Sequence, residues 1–272
     1  MNRRAIRAMM RKDLRQVTQN KLVWMPMVIV PALLQVVIPL GIVLIPTFLP
    51  AEAMDPQELA GLLRALPGRL KEMLQNLEGV QQWVYLSANY MFAPLFLVVP
   101  LMVSSILAAD SFAGEKERKT LESLLYTPVS DEELFLAKVL GAFLPALVIS
   151  VASFLVYALA VNTVGYRIMG RIFFPAPTWW PMVFWLGPGV SLSGLGATVL
   201  LSSKVSTFMQ AQQGGGLLVL PIVALMIGQL SGAFYLGPWL VFVLGTLAWL
   251  IGLWLIWVGA KTFSRSEIIA RI

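Results

Sequence analysis

The sequence predicts an all-α, polytopic membrane protein with six transmembrane helices. It adds an N-terminal interfacial amphipathic helix and a charged cytoplasmic helix between spans 2 and 3. Three observations predict this. Charged residues make up only 12% of the 272, against about 25% in a soluble domain. The charges are also segregated: residues 139–166, 172–203 and 205–260 carry none, and the last of these runs is 56 residues long. A single crossing uses roughly 20 apolar residues, so that run must fold back once. Finally, lysine and arginine are unevenly shared between alternate connections, fifteen on one side against five on the other. By the positive-inside bias, both termini are cytoplasmic.

The elements follow in chain order. Residues 1–21 place Ile6, Met9, Met10, Leu14 and Val17 at near-helical spacing among seven basic residues. That pattern suits a helix lying along the membrane surface, with its cations near lipid phosphates. Span 1, 22–49, carries Pro26, Pro31, Pro39 and Pro46 and is expected to bend, because each proline removes a helical donor. Residues 50–82 form a polar extracellular excursion. In it Asp55–Pro56 signals a helix start, Pro67–Gly68 a break, and Leu59, Leu62, Leu63, Leu66, Leu70, Met73 and Leu77 a helical stripe facing lipid or a second subunit. The remaining spans are read at 85–109, 134–161, 181–201, 216–235 and 239–260. Gly237–Pro238 turns the chain between the last two. The whole chain, 1–272, reads as one transmembrane domain.

Residues 109–138 hold seven of the fourteen acidic side chains. The spacing predicts a helix over 113–127. Glu115/Lys119 and Arg118/Glu122 are opposite charges one turn apart, and Leu121, Leu124 and Leu125 form an apolar edge against the bundle. Thr127–Pro128 stops it. Ser130 then caps span 3, with Asp131, Glu132 and Glu133 in the favourable first turn.

On these residues the chain resembles the ABC-2 type permeases, the membrane subunits of ATP-binding-cassette exporters. The matching positions are Glu115, Lys116, Glu117, Thr120, Leu124, Leu125, Pro128 and Lys138. "SSKVSTFMQAQQGGGLLVLP" and the closing "FSRSEII" resemble further parts of the family, while 50–82 is the least family-like stretch. The resemblance implies that 113–127 is a coupling helix docking on a separate ATPase subunit, with Glu115, Lys116, Glu117, Arg118 and Thr120 as the coupling residues. It also implies a pathway built by two permease copies, identical or paralogous, in the cell membrane. ATP and magnesium would be bound by the partner ATPase and no cofactor by this chain. Consistent with that, the sequence has no G-x-x-x-x-G-K-[ST] loop to cradle a phosphate.

Other functions fit less well. Cysteine and histidine are absent, which removes thiolate chemistry and the commonest general base and metal ligand. An intramembrane enzyme would lack its acid–base groups, so the chain is read as no enzyme by itself. An ion-coupled transporter usually keeps an ionisable residue at mid-membrane. Here Asp110 stands at a span end, and the interior polar groups are Gln35, Asn162 and Gln229. Gln35 and Gln229 are candidates for lining the pathway or for bonds between helices. A scaffold or anchor subunit without transport of its own would have the same sequence pattern. Lipids are expected partners and nucleic acid is not.

Overall fold

A computed structural model describes residues 3–48, 66–120 and 130–262. The helix start at Asp55–Pro56, the Leu121/Leu124/Leu125 edge and the Thr127–Pro128 stop lie outside them. The interfacial helix Arg3–Gln19 ends at Asn20, whose side chain accepts from the Leu22 amide and starts span 1. Among the described residues six helices are long and apolar enough to cross a membrane: Lys21–Leu44, Gly79–Glu117, Asp131–Met169, Trp179–Lys204, Phe208–Leu230 and Pro238–Thr262, here spans 1 to 6. No strand occurs among the described residues. The chain is a multi-pass, all-α membrane protein.

Spans 2 and 3 are each 39 residues, about 58 Å at helical rise. Both outrun the hydrocarbon core of about 30 Å, so hydropathy marks only their middles and both are longer than their apolar stretches suggest. At the N-terminal end of span 3, the Ser130 hydroxyl accepts from the Glu133 amide, 3.2 Å away. At its other end Gly170 takes a left-handed conformation (φ 64°) that closes the helix.

Burial ranks the spans. Across its apolar stretch span 2 is 83% buried, whereas spans 5 and 6 are 17% buried. Span 2 is therefore the axis, and the apolar faces of spans 1, 5 and 6 are left for lipid or another chain. Spans 4 and 6 approach closely through glycine. A Cβ on Gly189 would lie 3.0 Å from the Gly245 carbonyl, and one on Gly252 would lie 2.9 Å from the Ser193 nitrogen. Small residues let helix backbones pack this way in lipid.

Spans 1, 2, 4 and 5 depart from the α pattern, span 4 by a π-turn at Met182–Leu186. Span 1 has a π-turn at Leu33–Val37, bracketed by Pro31 and Pro39. Span 2 has a π-turn at Ser87–Met91, short helices Ala93–Phe96 and Val98–Ala109, and a second π-turn at Asp110–Gly114. Span 5 consists of Phe208–Gly216 and Leu220–Leu230, joined by a 3-10 turn at Leu217–Val219. Spans 3 and 6 are continuous helices.

The buried residues fall into two clusters. One, at the charged end, gathers Val17, Val23, Ile106, Phe112, Phe135, Ala142, Val199 and Phe208. The other, at the far end, gathers Tyr85, Tyr90, Phe154, Tyr157, Phe174 and Trp179. The short helix Gly68–Gln75 belongs to the far cluster. Leu66 and Leu74 are buried in it, and Leu70, Met73 and Leu77 pack against it. Leu66 and Leu74 thus face the chain's own bundle rather than lipid or a second subunit, while Leu70, Met73 and Leu77 do so only in part. Gln82 Nε2 holds the end of that helix by donating to the Leu74 and Leu77 carbonyls, and Gln81 Nε2 donates to the Ile168 carbonyl.

Candidate functional site

Span 2 does not give way to a separate helix at residue 113. It continues through the π-turn to Glu117 and stops at Lys119, whose φ is 55°. The Thr120 amide bonds back to the Glu115 carbonyl at 3.0 Å, a six-to-one closure of the Schellman kind. Lysine carries no turn signal comparable to glycine, so the sequence pattern runs the helix on past this point.

The π-turn decides where the charges go. Glu115 points inward and is fully buried, its carboxylate ion-paired with two lysines. Lys12 of the interfacial helix reaches Oε1 at 2.6 Å, and Lys138 of span 3 reaches Oε2. Lys138 is itself 2% exposed; its Nζ also donates to the Ser111 carbonyl at 2.6 Å and lies 5.4 Å from the centre of the Phe112 ring. An isolated buried ammonium would be costly, and the carboxylate and carbonyl together supply its compensation. Next to this triad, Asp110 accepts from Arg118 Nη1 at 2.9 Å and from Gln16 Nε2 at 3.1 Å. The Arg118 guanidinium folds over Gly114, where an added Cβ would sit 3.0 Å from Asp110 Oδ1 and 3.1 Å from the arginine nitrogens.

Two further bonds reach the connection between spans 4 and 5. Lys116 Nζ donates to the Val205 carbonyl at 3.2 Å. The Phe208 amide donates to Glu117 Oε2 at 2.8 Å, placing a carboxylate at the N-terminus of span 5, where the helix dipole favours it. Thr120 Oγ1 donates to the Glu115 carbonyl at 3.3 Å. Of the five expected coupling residues, Glu117, Arg118 and Thr120 are exposed, Lys116 is half-buried and Glu115 is internal. The expectation of Glu115 as a surface contact is corrected by this inward turn. Lys12, Gln16 and Asp110 join the network without having been read as site residues. Lys12 and Asp110 carry only a charge as signal and Gln16 carries none, and the fold alone brings their segments together.

A second polar cluster lies at the far end of span 2 and holds no charge. Pro94 has no N–H to give the Tyr90 carbonyl, and Gln229 Nε2 of span 5 supplies one at 2.6 Å. The Ala88 carbonyl accepts from the Tyr157 hydroxyl of span 3 at 2.6 Å, and the Asn89 carbonyl from Trp179 Nε1 of span 4 at 2.9 Å. Asn89 Oδ1 accepts from the Ala176 amide at 2.8 Å. Three successive carbonyls around one π-turn are thus capped by spans 3, 4 and 5. Similarly, the Ile42 carbonyl, whose helical donor would be Pro46, accepts from Trp83 Nε1 at 3.2 Å. Gln229 bonds between helices through its amide nitrogen, while its buried Oε1 has no partner. Asn162 likewise bonds locally, to the backbone of Phe173 and Phe174. Gln35 differs: it is 4% exposed and neither end of its carboxamide has a partner.

No group of three or more acidic side chains that could hold a metal occurs among the described residues. The arrangement can hold helix ends together and transmit displacement between them. No curated protein and no solved structure matches the chain. The family model described as "ABC-2 family transporter protein" matches residues 7–236, which takes in most of the interfacial helix, the charged network and the far-end cluster. With that match spanning most of the described bundle, the chain belongs to the ABC-2 family of transporter proteins.

Proposed function

We propose that this chain is the permease subunit of an ATP-driven exporter, working as a dimer with a second copy or a paralogue and powered by a separate ATPase subunit. The observation that carries the reading is the network at the charged end of span 2. It joins the interfacial helix, span 3 and the connection between spans 4 and 5 to the most buried helix of the bundle. A force applied to its exposed edge, Glu117 to Thr120, would reach four segments at once. That is what a membrane subunit without a phosphate-binding loop needs in order to use hydrolysis in another chain.

In this reading the charged end and both termini face the cytoplasm, as the distribution of basic residues favours. Glu117, Arg118 and Thr120 meet the ATPase, while Glu115 and Lys116 pass the displacement inward. Magnesium and ATP belong to the partner. Gln35, with its unpaired carboxamide, is the polar group that lines the pathway, and lipid covers the apolar faces of spans 1 and 6. The test is co-purification of the full chain with its cognate ABC ATPase and measurement of ATP hydrolysis by the complex in lipid nanodiscs. Stable association, with hydrolysis that responds to the permease, is expected. A chain that binds no ATPase and leaves hydrolysis unchanged would refute the proposal.

A further inference from the structure

Span 5 is the least buried helix that still touches span 2 at both ends. At the charged end, the Glu117 carboxylate receives the Phe208 amide. At the far end, Gln229 donates to the Tyr90 carbonyl. Its two halves also pack on different parts of span 2: Phe208–Gly216 lies against Val98–Ala109 and span 4, whereas Leu220–Leu230 lies against Ala93–Phe96 and the π-turn Ser87–Met91. Between these two regions the α pattern of span 2 is broken at Leu97, and it is broken again at Phe92 within the second. Span 5 has its own dislocation at the junction of its halves.

That junction is weak for identifiable reasons. Gly214, Gly215 and Gly216 are successive, and glycine is a poor helix former because it gives up the most backbone freedom. The α pattern then yields to a 3-10 turn at Leu217–Val219, a change that often marks a hinge within a helix. Pro221 removes another helical donor in the first turn of the outer half. Gly215 is held close, since a Cβ there would meet Thr198 Oγ1 at 3.1 Å, but Gly216 faces open space with nothing within 4 Å of its Cβ position.

We propose that span 5 is a hinged strut. Glu117 and Gln229 are the positioning residues that make its halves follow the two ends of span 2, and the Gly214–Val219 junction takes up the difference. Only the activity arm of the test rests on the proposed transport function.

The chain has no cysteine, so spin labels can be placed at will. One pair goes on Met209 and Ile227, which are 50% and 59% exposed on either side of the junction. A control pair goes on Phe242 and Leu253, exposed sites on the continuous span 6. In the full chain in nanodiscs, the span 5 pair is expected to give a broad or two-peaked distance distribution and the control pair a narrow one. Gly216→Ala meets no steric obstacle and is expected to shift the bent-to-straight population roughly five-fold toward straight. Gln229→Leu and Glu117→Ala are each expected to broaden the distribution, and Glu117→Asp to restore it. A span 5 distribution as narrow as the control, or one unmoved by Gly216→Ala, overturns the hinge and leaves the permease reading standing. In the ATPase complex, Gly216→Ala is expected to lower permease-linked hydrolysis; a broad distribution in a chain that binds no ATPase would keep the hinge and remove the permease reading.

Discussion

At its charged end, span 2 holds its neighbours by charge: Glu115 between Lys12 and Lys138, Asp110 with Arg118, Glu117 at the N-terminus of span 5. At its far end it holds them by neutral bonds to the Ala88, Asn89 and Tyr90 carbonyls. Both ends are bent by a π-turn, and in both the bend directs polar groups at other spans. The charged network stands where water and a soluble partner can reach its rim, and its ion pairs grade from the buried Lys138 to Lys12, whose side chain is 43% exposed. The neutral cluster stands where backbone carbonyls would otherwise go unpaired in a dry bundle. Charge serves where contacts can be exchanged with solvent or a partner; backbone capping serves where they cannot.

The largest effect should come from unbalancing the buried pair. Glu115→Gln leaves Lys138 without its carboxylate and is expected to cost about 3–5 kcal/mol of stability. The double change Glu115→Leu/Lys138→Met should recover most of that loss. Thermal unfolding in detergent reads both. Equal loss in the single and double variants would mean the pair is not what holds this end.

At the neutral end, Gln229→Leu strands the Tyr90 carbonyl and Trp83→Phe strands that of Ile42. Each should cost about 1 kcal/mol, as bonds between membrane helices usually do, with no dependence on salt. A salt-dependent loss would show that charge takes part in this otherwise neutral cluster. The smallest effect is expected at the rim. Lys12→Ala should cost only about 0.2–1 kcal/mol, as half-exposed pairs do, and the difference from wild type should shrink as salt rises.

Much of this was legible in the sequence, for definite reasons. Long charge-free runs demand spans, and a Ser130 followed by Asp131, Glu132 and Glu133 demands a helix start. The resemblance to ABC-2 permeases rested on the Glu115–Lys138 region, which the family match covers. What escaped was set by local geometry. Periodicity carries Glu115 onto the face of a helix over 113–127, but one π-turn at Asp110–Gly114 and a left-handed Lys119 turn it inward. The far-end cluster left a faint signal, Pro94 four residues after Tyr90, which says that a carbonyl is free but not which donor will find it. The pairing of Lys12 with Glu115 spans 103 residues and belongs to the tertiary fold alone.

The charged end divides into an internal pair, Glu115 with Lys138, and an outward edge, Glu117 to Thr120. Pull-down of the cognate ABC ATPase by the full chain tests this division directly, comparing Glu115→Leu/Lys138→Met with Glu117→Lys/Lys119→Glu. The first variant, which neutralises the internal pair, should keep the ATPase bound. The second, which reverses charge on the exposed edge, should lose it while inserting normally in the membrane. Loss of the ATPase in the first variant with full retention in the second would contradict that division.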